Sequence, residues 1–198
     1  MKVRSAVCYT LSIWACAGIV LSACSIEASE TSEVAVPEIR VLSARERSEE
    51  AWELAREWRD DVELKEIQAG IFGPDRPGAT PLVDFVFESP SEQERRFIVG
   101  CSAAGCGGRA IRVPYLLGFG SVDLDDGMID SMEAATIGVE NGGSELVYSG
   151  SATTMWVRLG RDKPRDTGPV VWLAYFAGPG EQVNVVIDPY TAEVIRLE

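Results

Sequence analysis

The sequence predicts an α+β protein built as two tandem α-β-β-β units, each a helix packed on a small antiparallel sheet. Three observations predict it. Apolar residues recur at helical spacing in two places, each opened by a capping signal. Apolar and polar residues alternate at strand spacing downstream of each helix. The same signals also return in the same order. Ser43 lies 38 residues before Pro81 and Asp130 lies 39 before Pro169, and a Glu-Gln pair follows the two prolines after 11 and 12 residues. Matching order at a nearly constant offset marks an internal repeat.

The chain opens with Lys2 and Arg4, then an apolar run from Ala6 to Val20. That run is too short for a permanent membrane span and fits a signal-peptide core. It ends in Leu21-Ser22-Ala23-Cys24, which resembles the bacterial lipobox. The resemblance implies cleavage after residue 23 and a diacylglyceryl group on the Cys24 thiol. Two or three acyl chains anchor stably where one holds only marginally. Ser25, rather than Asp, follows the lipidated residue, which favours the outer membrane, periplasmic face, in a Gram-negative cell. Residues 24–42 are polar and non-periodic and read as a flexible tether.

The first unit, residues 43–124, opens with the capping box Ser43-Ala-Arg-Glu46, followed by apolar Ala51, Leu54, Ala55, Trp58 and Val62. Strands are expected near Glu63–Phe72, from Val83 to Phe87, and from Arg95 to Cys101. A short strand between Ile111 and Leu124, interrupted by Pro114, closes the unit. The second unit, residues 125–198, opens at Asp130-Ser-Met-Glu133, with Met132, Ala135 and Val139 at helical spacing and Asn141-Gly142-Gly143 as a helix stop. Its strands are expected at Thr153–Gly160, Val170–Phe176 and Val183–Asp188. Val170–Phe176 is apolar on both faces, which places it centrally in a sheet.

Composition limits function. The formal net charge is −13, and removal of the signal with Lys2 and Arg4 takes it to −15. Such a chain is repelled by nucleic-acid phosphates and anionic head groups, so acyl chains rather than charge must hold it at a membrane. There is no histidine. Ser-His-Asp and Cys-His catalysis are therefore impossible within the chain, and the commonest zinc ligand is missing. Of five cysteines, Cys8 and Cys16 leave with the signal and Cys24 is lipidated. Cys101 and Cys106 remain, in a Gly- and Ala-rich loop. In an oxidising envelope the pair reads as a disulfide; a redox-active pair or half of a metal site are the alternatives.

The second unit resembles the PepSY domain family. The resemblance rests on Asp130-Ser-Met-Glu-Ala-Ala135, on Val171-Trp172-Leu-Ala-Tyr175, and on the ending Val185-Val-Ile-Asp188-Pro-Tyr-Thr191-Ala-Glu193-Val-Ile195. That ending looks like the family's Asp-x-x-Thr-Gly-Glu hairpin turn, with Ala192 in place of Gly. The first unit matches less well. The resemblance implies a binding or inhibitory module, as in the propeptides of thermolysin-like metallopeptidases. No H-E-x-x-H motif is present.

Other clusters read as structural. Asp123-Leu-Asp125-Asp126-Gly127 lacks the glycine position and the distal Glu of a calcium loop, and reads as a turn into a helix. Asp60-Asp61 and Glu49-Glu50 are adjacent pairs whose side chains diverge, so neither suits paired acid–base work. Trp52 and Trp58 are expected to pack a helix on a sheet. Trp156, Trp172 and Tyr175 are expected to meet it from the sheet side, with a peptide-binding groove as the alternative. Leu116-Leu117-Gly118-Phe119-Gly120 is a buried connection or an exposed partner patch. No catalytic, cofactor-binding or metal-binding residues are expected. The reading is a lipid-anchored, non-enzymatic envelope protein that binds a protein or peptide partner, with protease modulation as one possibility. The alternatives are a structural accessory of an envelope complex and a carboxylate-based hydrolase.

Overall fold

The computed structural model describes residues 38–76, 78–113, 120–162 and 168–198. The signal, Cys24 and the tether up to residue 37 lie outside the described residues, as do residues 116–119 of the apolar Leu116–Gly120 segment. In chain order the elements are α1 (Ala44–Trp58), β1 (Glu63–Gly70), β2 (Val83–Glu88), β3 (Arg95–Ser102) and β4 (Gly105–Arg112), followed by α2 (Ser131–Gly138), α3 (Ser144–Tyr148), β5 (Thr154–Arg161), β6 (Val170–Gly178), β7 (Glu181–Ile187) and β8 (Val194–Leu197).

The two small sheets expected from the repeat do not form. All eight strands hydrogen-bond into one antiparallel sheet, ordered β4-β3-β2-β1-β5-β6-β7-β8. The join is β1 against β5, with Ile67, Gln68, Ala69 and Gly70 opposite Leu159, Arg158, Val157 and Trp156. Two separate sheets would each leave a long edge of unpaired N–H and C=O groups in mid-protein; pairing β1 with β5 removes both edges. Each half of the sheet contributes four strands, and the fourth strand of the first half is not where it was expected. β4 forms where a Gly- and Ala-rich loop was expected, because Cys101 and Cys106 lie opposite each other in a hairpin turning at Ala103-Ala104. Among the described residues of the expected Ile111–Leu124 strand, only Ile111 and Arg112 are in a strand, as the end of β4, and residues 120–124 are irregular.

Side-chain alternation gives the sheet two faces. One row runs Gly108, Val99, Phe85, Ile67, Leu159, Trp172, Ile187 and Val194 across the eight strands. The neighbouring row runs Cys106, Cys101, Val83, Ala69, Val157, Ala174, Val185 and Leu197. From β3 to β7 these residues form the main core, and both helical segments lie on this face.

Helix α1 begins where sequence places it. The Ser43 hydroxyl accepts from the Glu46 N–H at 3.1 Å, which satisfies one of the free donors of the first turn. The fully buried positions of α1 are all alanines, Ala44, Ala51 and Ala55, so the helix can lie close to the sheet. Trp52 meets Phe87 edge-on at 5.0 Å, and Trp58 stacks on Phe97 at 5.2 Å. Phe97 in turn lies over Gly108, where a Cβ would sit 2.3 Å from the ring. Asp130 does not cap its own helix. Its carboxylate accepts from Arg45 N–H, and the Ser131 hydroxyl accepts from Ala44 N–H at 2.9 Å. The start of α2 thereby caps the start of α1.

Asn141-Gly142-Gly143 kinks the second helix rather than ending it. A wide turn at Val139–Gly143, with Gly142 at φ 149°, redirects the chain into α3. The cause is Phe176. A Cβ at Gly143 would lie 2.6 Å from its ring, and one at Gly138 would lie 2.4 Å from Ala174 Cβ. The glycines let this segment settle on β6. The end of the expected tether is also part of the fold. Arg40 and Phe72 exchange two backbone hydrogen bonds, and Ile39, Val41 and Leu42 pack on the core.

Candidate binding face

Among the described residues, no helix packs against the second face of the sheet. One row there runs Gly107, Gly100, Asp84, Gln68, Arg158, Leu173, Val186 and Arg196. A second runs Gly70, Trp156, Tyr175 and Asn184. Trp156 and Tyr175 are directly opposite on β5 and β6, and their rings stack at 4.8 Å with planes 16° apart. Gly70, the partner of Trp156 on β1, has no side chain to cover them. Both rings are half-buried, so each keeps part of its area in water.

Beside the stack, Arg158 reaches across to Glu66 at 3.2 Å, and neither is more than about a quarter exposed. Toward β4, Glu88 is 4% exposed and accepts from Arg96 Nε at 2.7 Å. Toward β8, Arg196 meets Asp162 at 3.0 Å, and Val171 and Val186 are buried on this face. A recess of about 310 Å³ lies near the β4 edge, between Asp84, Ile98, Gly100, Gly107, Gly108 and Arg109. Partial burial pushes the Asp84 carboxyl above its usual range, while the nearby Arg109 charge pulls the other way. The face thus offers an aromatic platform framed by fixed ion pairs.

Sequence reasoning expected Trp156, Trp172 and Tyr175 to meet the helices together. Only Trp172 does so. It is fully buried, and its indole N–H donates to the Ile129 carbonyl at 3.1 Å. The signal was available: residues 172 and 175 are three apart on one strand and must face opposite sides. The roles of Arg158, Glu66 and Asp84 depend on strand register between the halves, which no local pattern gives.

The remaining clusters separate. Asp61 accepts from the Ser89 hydroxyl and from Ser91 N–H at 3.0 Å, and these bonds hold its carboxyl below the usual range. Asp61 therefore ties down a turn. Glu50 accepts from the Cys106 N–H at 2.9 Å. Asp125 accepts from Gly127 N–H at 2.8 Å and from the Tyr190 hydroxyl at 3.1 Å, and Asp126 pairs with Arg45. The Asp123–Gly127 segment is thus a turn, as expected. Cys101 and Cys106 form a disulfide. Among the described residues no three His, Cys, Asp or Glu side chains gather into a metal site, and no helix is long and apolar enough to cross a membrane. On the helix side, a groove of about 540 Å³ runs between Glu38, Ile39, Val139, Glu140 and Tyr148.

No protein-family model matches the chain, and no curated protein matches it in sequence. Among solved structures, the fold is similar to a "putative lipoprotein" from Clostridium difficile 630, with a TM-score of 0.51 and 8% identity, over 77% of this chain and 91% of that one.

Proposed function

We propose that this chain is a lipid-anchored, non-enzymatic protein of the cell envelope that holds a protein partner against the helix-free face of its sheet. The observation that carries the reading is the Trp156–Tyr175 stack, set in the middle of that face and framed by the Arg158–Glu66 pair. Exposed aromatic area ringed by charge is the composition of a protein contact patch. The anchor is supported by Leu21-Ser22-Ala23-Cys24 and by the lipoprotein description of the structural neighbour. No family model matches the chain; the resemblance of the sequence over residues 128–198 to the PepSY family is the reason to test a protease as the first partner.

Two experiments test this. Radiolabelled palmitate is expected to enter the full chain and to be lost in Cys24→Ser; labelling that survives the substitution removes the anchor. For the face, a photo-crosslinking residue at Tyr175 is compared with one at Glu53 on α1, in living cells. A discrete adduct from position 175, abolished by Trp156→Ala, is expected. Adducts that are absent, or equal from the two positions, refute the reading.

A further inference from the structure

We propose that the outer edge of β4 is a second binding site, which takes an extended, acidic peptide segment as a ninth strand. The site is separate from the helix-free face and stands or falls independently of it.

The argument begins with the ladder. Val113 N–H bonds to the Glu94 carbonyl at 2.9 Å, and the β3–β4 register sets residues 94 and 113 directly opposite, which marks a hydrogen-bonding position of the ladder. Pairs then alternate along the hairpin. Cys101 and Cys106 form a non-hydrogen-bonded pair, in keeping with a Cα–Cα separation of 4.0 Å. On β4 the backbone groups of residues 106, 108, 110 and 112 therefore point outward. The first outward N–H, at Cys106, is already held by a carboxylate, that of Glu50. One outward N–H of this edge is thus satisfied by a carboxylate of the chain itself. Beyond Glu50 the row continues through Gly108, Ala110 and Arg112, all exposed.

Three features favour an acidic strand there. Arg109 is exposed and sits between the outward positions 108 and 110, a local positive charge at the edge of a chain that is acidic as a whole. A carboxylate opposite it would form a cross-strand ion pair; Asp84 is the acid that already feels its charge from within the sheet. Arg112 extends the positive edge, although it also meets Glu94 at 3.1 Å. At Gly107 a side chain would meet nothing within 4 Å, so a partner's side chains have room. The edge is also rigid, because the Cys101–Cys106 bond and the packing of Phe97 on Gly108 fix the hairpin. The opposite edge, β8, spans only four residues and is flanked by Glu193 and Glu198. A second copy of the chain is a poorer occupant: an antiparallel pair centred on residue 109 sets Arg109 against Arg109, and like charges directly opposite are destabilising.

The test uses the full chain in detergent micelles and four synthetic peptides: Thr-Glu-Val-Glu-Val-Glu-Thr, its Lys-for-Glu counterpart, and the acidic peptide N-methylated at alternate residues in each of the two phases. The acidic peptide is expected to bind and to protect the Gly108, Ala110 and Arg112 amides from hydrogen exchange. The lysine peptide is expected not to bind. N-methylation in one of its two phases abolishes binding and in the other spares it. Ala110→Pro removes an outward N–H without touching the β3 ladder, a place where edge proline is tolerated, and should weaken binding about ten-fold. Arg109→Glu should weaken the acidic peptide about three-fold and admit the lysine peptide. Equal binding of both peptides, protection elsewhere, insensitivity to the N-methylation phase, or a chain dimeric by light scattering would each overturn the proposal. If Ala110→Pro does not fold, the N-methylated peptides decide alone.

Discussion

Gly138→Ala adds one methyl group at the tightest contact between helix and sheet. The new Cβ would stand 2.4 Å from Ala174 Cβ and 3.3 Å from the Phe176 ring. Ordinary carbon contacts lie near 3.5–4.0 Å, so the helix must retreat by more than about an ångström. Overpacking of this kind costs about 1–3 kcal/mol. Alanine returns about 1 kcal/mol through helix propensity. The net expectation is a loss of up to about 2 kcal/mol, or a fall in Tm of up to about 8 °C for a domain of this size. Ala174→Gly removes the opposing methyl, so the double variant should recover most of the loss, with a coupling energy of about 1–2 kcal/mol. Urea and thermal unfolding followed by tryptophan fluorescence measure both quantities. A double variant that is simply additive would show that α2 does not press on β6 as described.

Glu88→Ala leaves Arg96 buried without its partner, and Arg96 Nη2 already has no hydrogen bond among the described residues. A loss of about 3–5 kcal/mol is expected in urea unfolding, whereas Glu88→Leu combined with Arg96→Met should be near neutral. Replacing both Cys101 and Cys106 by Ala opens a loop with a sequence separation of 5, which chain-entropy reasoning sets at about 2 kcal/mol, read as a Tm shift under non-reducing conditions. Ala192 holds a left-handed backbone at φ 62°, so Ala192→Gly should stabilise the protein by about 0.5–1 kcal/mol in the same assay. In that turn the Asp188 carboxylate accepts from the Tyr190 and Thr191 amides, which lowers its pKa below the ordinary 3.8. A lowered carboxyl contributes stability above the unfolded value and loses it as pH falls through the folded one. The difference between parent and Asp188→Asn should therefore be full at pH 6 and shrink as pH falls below the ordinary 3.8; a difference that does not shrink refutes it.

Much of this was legible along the chain, because local signals decide local structure. The Ser43 cap, the helical stripe through Ala51 and Ala55, and the alternation in Val83–Phe87 and Val183–Ile187 each report on a few neighbouring residues. β6, apolar on both faces, sits inside the sheet with Val171 buried on the far side, as its composition indicated. What failed was non-local. The merging of the strands into one sheet depends on the β1–β5 register, set by residues about ninety positions apart. Asp130 reads as the cap of the helix it precedes, yet it serves another helix that lies beside it only in the folded chain. The kink at Gly142 follows from Phe176, far downstream. The helix-free face inherits the same difficulty, since Trp156 and Tyr175 meet only when β5 and β6 align.

The seam between β1 and β5 bears on how the chain folds. Every other strand pairs with its immediate neighbour in sequence, through turns that cost little to close. Only this seam requires two distant stretches to find each other, and its register spans four residue pairs. Two quickly formed meanders would therefore wait on one slow zipping event. Until it is complete, β1 and β5 offer bare borders to any neighbouring polypeptide, so the step that finishes the molecule is also the one most exposed to misassembly.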